Sequence, residues 1–291
     1  MSQISTYLDL CKVKVVALMI LCAWVGMLLA HDQLPAISIV IFGSLGIALA
    51  SASGAALNHV IDRHIDARMQ RTQQRPLPQH HISVKNALLF AVILGSIGLS
   101  MLWFYVNSTA AAWTLATLLG YGLIYTALLK RITSQNIVIG GLSGALPPLL
   151  GWVCVEPHLT AEPWLLVLII FAWTPPHFWA LAIAKIKDYE KSQLPMLPVT
   201  HGIAYTKLNI ILYTWLLVAA TGLPFAIGML GVPYLVASQL LNLRFIYWTH
   251  QLYRSQSPHI AYQTFIFSIK YLFALFVFML IDHFSYAISL A

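Results

Sequence analysis

Residues 58–78 read NHVIDRHIDARMQRTQQRPLP, a polar stretch within a chain that is otherwise mostly apolar. Asn58, Asp62 and Asp66 recur at every fourth position, so on an α-helix each is rotated by about 40° from the last and all three project from one face. Oxygen-bearing side chains of this kind suit a hard divalent cation such as Mg²⁺. The spacing therefore predicts a cation site on one helix face, with Asn58, Asp62 and Asp66 as metal ligands.

The same stretch is also rich in arginine. Its four arginines are Arg63, Arg68, Arg71 and Arg75. Guanidinium groups bind phosphate oxygens through paired N–H donors, so acceptors for a metal lie beside donors for an anion. A metal-bound diphosphate is the simplest ligand that satisfies both. Ordinary ion pairs in a solvated loop are the alternative, which the scarcity of charge elsewhere in the chain disfavours.

The composition around this stretch indicates a membrane protein. The 291 residues are 59% hydrophobic and 9% charged, and the mean hydropathy of +0.79 excludes an ordinary soluble domain. Apolar runs predict an all-α integral membrane protein with about nine transmembrane helices around a central cavity. The predicted spans are 15–30, 36–57, 84–106, 109–129, 136–155, 163–184, 208–228, 233–250 and 265–287. We expect one polytopic membrane domain over 1–291, with cytoplasmic motif-bearing segments at 58–83 and 185–207.

The basic residues predict the orientation of these spans. With a cytoplasmic N-terminus, all 16 Lys and Arg residues lie on or near one side of the membrane, whereas Asp32, Glu156, Glu162 and Asp282 lie on the other. The C-terminus is then periplasmic, and we expect a bacterial inner membrane because no transit peptide is recognisable. The net charge of +7 is spread over several short loops, which argues against a nucleic-acid partner.

A second polar cluster, KIKDYEKSQLPMLPVTHG at 185–202, places Asp188 among Lys185, Lys187 and Lys191. Alone, such a segment is more typical of a positive-inside loop. Paired with the first polar stretch, it predicts the opposite wall of a diphosphate site. In that site Asp188 would complete the coordination of a second Mg²⁺, and the lysines would neutralise phosphate oxygens.

Two proline pairs lie within the predicted spans. Pro147 and Pro148 follow a glycine-rich run, and Pro175 and Pro176 lie in the middle of a predicted span. Proline frees backbone carbonyls, which must then be satisfied inside the protein or in a cavity. We therefore expect the helices to be interrupted at both pairs, next to the cavity. Tight packing with simple kinks is the alternative.

Four blocks of the sequence together resemble the UbiA superfamily of intramembrane prenyltransferases. They are ASGAALNHVIDRHIDARMQRTQQRPLP (52–78), GGLSGALPPLLGW (140–152), WTPPHFWALAI (173–183) and KDYEKSQLPMLPVTHG (187–202). The first contains the Asn-x-x-x-Asp-x-x-x-Asp signature that these enzymes carry at the end of their second helix. The order of the blocks and the hydropathy pattern match along essentially the whole chain, and the chain is most similar to the members that farnesylate haem.

The resemblance implies a UbiA-type prenyltransferase fold and a set of roles. Asn58, Asp62, Asp66 and Asp188 would be catalytic and would hold Mg²⁺ against the diphosphate of farnesyl diphosphate. The implied diphosphate contacts are Arg63, Arg68, Arg71, Arg75, Lys185, Lys187 and Lys191. Ser192 stands where many quinone-type members carry another Asp. This departure argues against the binding of a second metal ion. It also argues against the nearest alternative enzyme, a UbiA-type prenyltransferase that transfers the prenyl group to an aromatic acceptor.

The implied reaction converts haem b to haem o, with Mg²⁺ as cofactor and haem b as substrate. Farnesyl passes to the haem vinyl group, water adds and diphosphate is released, in support of haem-copper oxidase assembly. The implied partners are farnesyl diphosphate, haem b, the lipid bilayer and a haem A synthase or terminal oxidase assembly.

His177, next to the second proline pair, is the candidate for haem contact, either as an axial ligand or against a propionate. A lone histidine in an apolar helix is equally well explained as a hydrogen-bonded packing residue, and both interpretations stay open. Secondary transport is a further alternative, because broken helices and intramembrane polar residues also mark substrate pathways.

Overall fold

The computed structural model describes residues 3–68, 72–129, 133–192 and 195–290, and over these ranges it contains helices and no strands. Among the predicted site residues, Arg71 lies outside the described ranges. The helices are α1 (Gln3–Cys11), α2 (Val13–Leu29), α3 (Ile37–Asp66), α4 (Val84–Tyr105), α5 (Ser108–Leu119), the π-helical α6 (Gly120–Leu129), α7 (Asn136–Ala145), α8 (Pro147–Val155), α9 (Glu162–Ala184), α10 (Ile186–Ser192), α11 (Leu197–Thr200), α12 (Gly202–Ala226), α13 (Val232–Arg254) and α14 (Pro258–Leu290).

These helices form two compact units. The first comprises Met1–Ile132, Leu146–Leu159 and Lys191–Leu194, and the second comprises Thr133–Ala145, Thr160–Glu190 and Pro195–Ala291. The prediction of a single membrane domain over the whole chain stays a prediction.

Helices of the first unit approach closely through glycine. A Cβ added at Gly26 of α2 would lie 1.8 Å from the carbonyl oxygen of Pro148, and one added at Gly151 of α8 would lie 1.8 Å from that of Ala23. The backbones of α2 and α8 therefore touch, as is typical of small residues between membrane helices. α3 packs along α4, α1 contacts α3, and α3 also contacts α6.

In the second unit, α9 packs against α7, α12 and α14, and α13 packs against α12 and α14. Neutral polar groups join α12, α13 and α14. Asn242 Nδ2 of α13 donates to Thr221 Oγ1 of α12 at 2.9 Å, and Tyr271 OH of α14 donates to Asn242 Oδ1 at 2.6 Å. We call Thr221, Asn242 and Tyr271 the neutral network. All three residues are buried.

Six helical segments of the described chain are long and apolar enough to cross a membrane, or seven if α1 and α2, bent by 44°, count as one span. The six are Ile37–Asp66, Val84–Tyr105, Asn136–Val155, Glu162–Ala184, Gly202–Ala226 and Pro258–Ser285. The multi-pass membrane class is thus confirmed, whereas the count of nine is not. The predicted span 109–129 changes from α to π geometry at Gly120, and 233–250 falls on α13, which carries Arg244 and other polar residues.

The two proline pairs differ in their effect on the helices. A break at Leu146 separates α7 from α8 ahead of Pro147, as predicted. Pro175 and Pro176 instead lie within a continuous α9, so the predicted interruption is wrong there. Proline removes N–H donors but already has a helical φ, and the packing of α9 against three neighbours outweighs the lost hydrogen bonds.

Candidate functional site

The first motif lies in the last turns of α3, where all three of its residues are buried. Asn58 is 4% exposed, Asp62 0% and Asp66 3%. Asn58 Nδ2 donates to Asp62 Oδ2 at 2.9 Å, which joins side chains one helical turn apart. The predicted helix and the shared face of Asn58 and Asp62 are therefore observed.

Lys12 joins this motif from the break between α1 and α2. Its backbone is left-handed, with φ 49° and ψ 51°, and its Nζ donates to Asn58 Oδ1 at 2.6 Å. From the sequence, Lys12 is only one of the basic residues that predict membrane orientation, and its contact with Asn58 is not predicted. No local pattern connects two residues that are 46 positions apart. The only sequence signal for Lys12 is that its charge lies directly before an apolar helix.

Arg75 reaches the motif from the segment that follows α3. Its Nη1 atom lies 2.8 and 2.7 Å from the two carboxylate oxygens of Asp66. Thr72 Oγ1 donates to the backbone carbonyl of Asp66 at 3.0 Å and ties the same segment to the helix end. We call Lys12, Asn58, Asp62, Asp66 and Arg75 the charged cluster.

The other predicted arginines behave differently from Arg75. Arg63 Nη1 donates to the carbonyl of Val60 in its own helix at 2.8 Å, and Arg68 is exposed. Arg63 follows Asp62 directly, so its side chain leaves the helix about 100° away from the motif face. Among the arginines of this stretch that the structure describes, only Arg75 contacts an acidic residue of the motif.

The π-helical α6 also contacts the motif. Thr126 Oγ1 lies 3.5 Å from Asn58 Nδ2 and donates to the carbonyl of Tyr121 at 2.8 Å. π-Helical segments occur frequently at functional sites. His59, next to Asn58, is 2% exposed, and neither of its ring nitrogens makes a hydrogen bond within the described residues. Buried polar atoms of this kind call for a further partner.

The donor set of the charged cluster fits a hard divalent cation. It offers one amide oxygen and two carboxylates at a buried helix end, and Mg²⁺ typically binds one or two carboxylates together with water and substrate phosphates. Within the described ranges no group of three or more His, Cys, Asp or Glu side chains is arranged to hold a metal. An ion at this site would therefore use the Asn58 amide oxygen with Asp62 and Asp66, and would need ligands from water or substrate as well.

The second polar cluster lies at the end of α9 and on α10. Asp188 is in the first turn of α10 and partly exposed, whereas Lys185, Lys187 and Lys191 are exposed. In the described part of the chain no side chain forms an ion pair or hydrogen bond with the Asp188 carboxylate. The pairing of Asp188 with the first motif stays a prediction.

His177 is buried on α9 in the second unit, within the predicted span. Its Nδ1 lies 2.7 Å from Ser268 Oγ of α14, and its ring stacks on Trp173 with centroids 4.2 Å apart. His177 is a candidate from the sequence, whereas no sequence signal points to Ser268, which is 91 positions away. Haem contact at His177 stays a prediction.

Comparison with known proteins identifies the family. The family model described as the UbiA prenyltransferase family matches residues 19–279. The chain is 57% identical to protoheme IX farnesyltransferase of Stutzerimonas stutzeri (strain A1501) over 278 residues, covering 96% of this chain and 93% of that protein. It is 54% identical to protoheme IX farnesyltransferase of Legionella pneumophila (strain Corby), with 96% and 95% coverage.

Solved structures share the fold at much lower identity. The structure reported for digeranylgeranylglyceryl phosphate synthase has a TM-score of 0.83 and 20% identity, covering 98% of this chain and all of that one. A UbiA homologue from Archaeoglobus fulgidus bound to DMAPP and Mg²⁺ has a TM-score of 0.65 and 14% identity, covering 94% and 99%. The chain therefore belongs to the UbiA prenyltransferase family.

Proposed function

We propose that the protein is a Mg²⁺-dependent protohaem IX farnesyltransferase that converts haem b to haem o. The observation that carries the proposal is the charged cluster at the end of α3, where buried acceptors for a metal lie beside half-buried donors for a diphosphate. Relatives that are 54–57% identical over most of the chain are named protoheme IX farnesyltransferase, which supports the choice of donor and acceptor.

In this proposal, Asn58, Asp62 and Asp66 would hold Mg²⁺ against the diphosphate, and Asp188 would be a further ligand. The Archaeoglobus fulgidus homologue bound to DMAPP and Mg²⁺ supports the use of this metal. When bound, Mg²⁺ neutralises charge on the departing diphosphate. The proposed diphosphate contacts are Arg63, Arg68, Arg71, Arg75, Lys185, Lys187 and Lys191, and Lys12 joins them because it lies in the charged cluster.

The charge balance of the cluster suggests how metal and substrate bind. Among the described residues of the cluster, the positive charges of Lys12 and Arg75 accompany the negative charges of Asp62 and Asp66. A metal ion that entered alone would face two cations, and a diphosphate that entered alone would face two carboxylates. Together they largely cancel these repulsions. We therefore expect Mg²⁺ and farnesyl diphosphate to bind cooperatively.

The chemical step follows from this arrangement. The bond between C1 of the farnesyl group and the diphosphate oxygen breaks, and its electron pair leaves with the diphosphate, whose charge Lys12 and Arg75 help to stabilise. The π electrons of the haem vinyl group form the new bond to C1. Water then adds to the resulting cation and gives up a proton to the released diphosphate. Apolar surroundings limit premature capture of the farnesyl cation by water.

We place this reaction in a bacterial inner membrane, with the N-terminus in the cytoplasm and the C-terminus in the periplasm. The product would supply haem-copper oxidase assembly, so a haem A synthase or a terminal oxidase assembly is the expected protein partner.

Product analysis tests the proposal. The protein, reconstituted in liposomes, is incubated with haem b, farnesyl diphosphate and Mg²⁺, and haem o is sought by mass spectrometry, with Asp62→Ala as the control. We expect haem o from the wild type alone, and none after chelation of Mg²⁺. If an added aromatic acid is prenylated while haem b stays unchanged, the acceptor is wrong. If no acceptor is turned over, the transport alternative is favoured.

A further inference from the structure

The second unit holds His177 in a rigid environment that the reaction above does not use. Trp173, one helical turn earlier on α9, stacks on its ring at 4.2 Å with an interplanar angle of 21°. Phe265 of α14 packs on it at 4.6 Å and 32°. Ser268, also on α14, lies 2.7 Å from Nδ1 through its hydroxyl oxygen.

The hydrogen bonds of Ser268 determine which nitrogen of His177 carries the proton. A serine hydroxyl has a single proton, and Ser268 Oγ donates it to the carbonyl of Phe265 at 2.6 Å. Towards His177 the same oxygen can then only accept, so Nδ1 must be the protonated nitrogen. In a neutral imidazole the other nitrogen, Nε2, keeps its lone pair.

The backbone of Ser268 reinforces this arrangement. Its carbonyl accepts the indole N–H of Trp173 at 2.8 Å, so one residue of α14 holds both the imidazole and the ring stacked on it. The Nε2 edge is the part of His177 with no such restraint, because no side chain or carbonyl of the described residues forms a hydrogen bond to Nε2. His177 is 7% exposed. A fixed ring with a basic nitrogen and an unused edge is the form in which histidine binds a metal.

We propose that Ser268 is a positioning residue for haem, whose hydroxyl holds His177 in the Nδ1–H tautomer so that Nε2 ligates the haem iron. The proposal rests on the proposed function, since it takes haem b as the ligand. Histidine ligands of metals almost always donate their second ring N–H to a neighbouring acceptor, and Ser268 Oγ is that acceptor here. A packing histidine would also use such an acceptor, so the feature that favours ligation is the unused Nε2.

Haem titration with spectroscopy tests this assignment. The purified protein in lipid nanodiscs is titrated with ferric haem b, and the dissociation constant, the Soret band and the iron–histidine stretch in resonance Raman spectra of the reduced complex are recorded. Ser268→Ala should weaken haem binding about 10- to 100-fold and shift the iron–histidine stretch. Ser268→Thr keeps the hydroxyl and should restore both. His177→Ala should abolish the histidine signature.

Ser238→Ala is a matched control. Ser238 is buried, and its hydroxyl donates to the carbonyl three residues earlier, as that of Ser268 does, but it has no histidine partner. It should leave the spectra and the haem affinity unchanged. Melting temperatures of all variants show whether each one is folded.

The outcomes separate this proposal from the proposed function. A folded Ser268→Ala variant with wild-type spectra and haem affinity overturns the role of Ser268. If the wild type makes haem o but shows no histidine ligation, the ligand assignment fails and the proposed function stands. If His177 ligates haem under the control of Ser268 but no haem o forms, the assignment stands and the proposed function fails.

Discussion

The charged cluster of the first unit and the neutral network of the second unit are built from different polar groups. The charged cluster of the first unit pairs the buried Asp66 with the half-buried Arg75, whereas the neutral network of the second unit uses an amide and hydroxyl groups. A charged side chain at the centre of a membrane helix costs about 2.5–3.5 kcal/mol on insertion scales. Neutral hydrogen bonds are sufficient to hold helices together. Asp282 of the second unit is also buried, but its carboxylate accepts backbone N–H groups, whereas Asp66 pairs with the cationic side chain of Arg75. The comparison teaches that side chains of opposite charge pair where a charged ligand is expected.

Among the substitutions that test this comparison, Asp62→Ala should have the largest effect, which is on the reaction rate. Asp62 is fully buried in the charged cluster and is a proposed metal ligand, so Asp62→Ala should lower the rate of diphosphate release about 10³-fold. A coupled assay for released diphosphate measures the rate. Asp32→Ala is the control, because Asp32 is exposed between α2 and α3. An Asp62→Ala variant as active as Asp32→Ala would remove the charged cluster from the reaction.

Substitution of Lys12 should have the next largest effect. Loss of its charged hydrogen bond to Asn58 should lower kcat/KM about 10- to 100-fold, the equivalent of roughly 1.5–3 kcal/mol. Steady-state kinetics with farnesyl diphosphate as the varied substrate measure the change. Lys14, two residues further on, is exposed, and Lys14→Ala should be close to wild type. Equal losses in the two variants would mean that general positive charge, and not the cluster, is responsible.

Substitution in the neutral network should lower the stability of the protein and leave its enzymatic activity unchanged. Asn242→Ala deprives Tyr271 and Thr221 of a partner and should lower the free energy of unfolding by about 1–3 kcal/mol. Thermal unfolding in detergent, followed by activity at a permissive temperature, measures both. Asn209→Ala is the control, because Asn209 bonds only a carbonyl of its own helix. A loss of activity without a change in melting temperature would place the network in the reaction.

Removal of the exposed contact between His31 and Glu156 should have the smallest effect on stability. His31 Nε2 lies 3.5 Å from Glu156 Oε2, and both groups face solvent. The pKa of Glu156 is lowered, first by the backbone N–H of His158 and less by His31. Its stabilising contribution is therefore present at neutral pH and lost as the pH falls through that lowered pKa. Glu156→Gln should barely change the melting temperature at pH 7, and any difference should vanish in acid. A large change at pH 7 would contradict this ranking.

The parts of the site that could be predicted from the sequence are those with local signals. Asn58 and Asp62 follow the helical repeat, so their shared face needed only the geometry of one helix. Lys12 could not be found, because its contact with Asn58 depends on how α1 and α2 pack against α3. The arginines looked equivalent by composition, yet Arg75 reaches Asp66 because the chain folds back after α3.

The fold shows the same division between local and tertiary information. Hydropathy located most of the membrane spans, since an apolar run is a property of one segment. The span predicted at α13 is not confirmed, because α13 carries polar side chains such as Asn242, whose main partners lie on neighbouring helices. The continuous α9 across Pro175 and Pro176 likewise depends on packing against other helices.

Calorimetry of Mg²⁺ binding tests the central claim most directly. Mg²⁺ is titrated into the wild type and into Asp62→Ala, with and without a non-hydrolysable analogue of farnesyl diphosphate. Because the charged cluster holds side chains of both signs, we predict that the analogue tightens Mg²⁺ binding at least about tenfold in the wild type, and that Asp62→Ala loses this coupling. Mg²⁺ binding that is equally tight without the analogue, or unchanged in Asp62→Ala, would contradict the account.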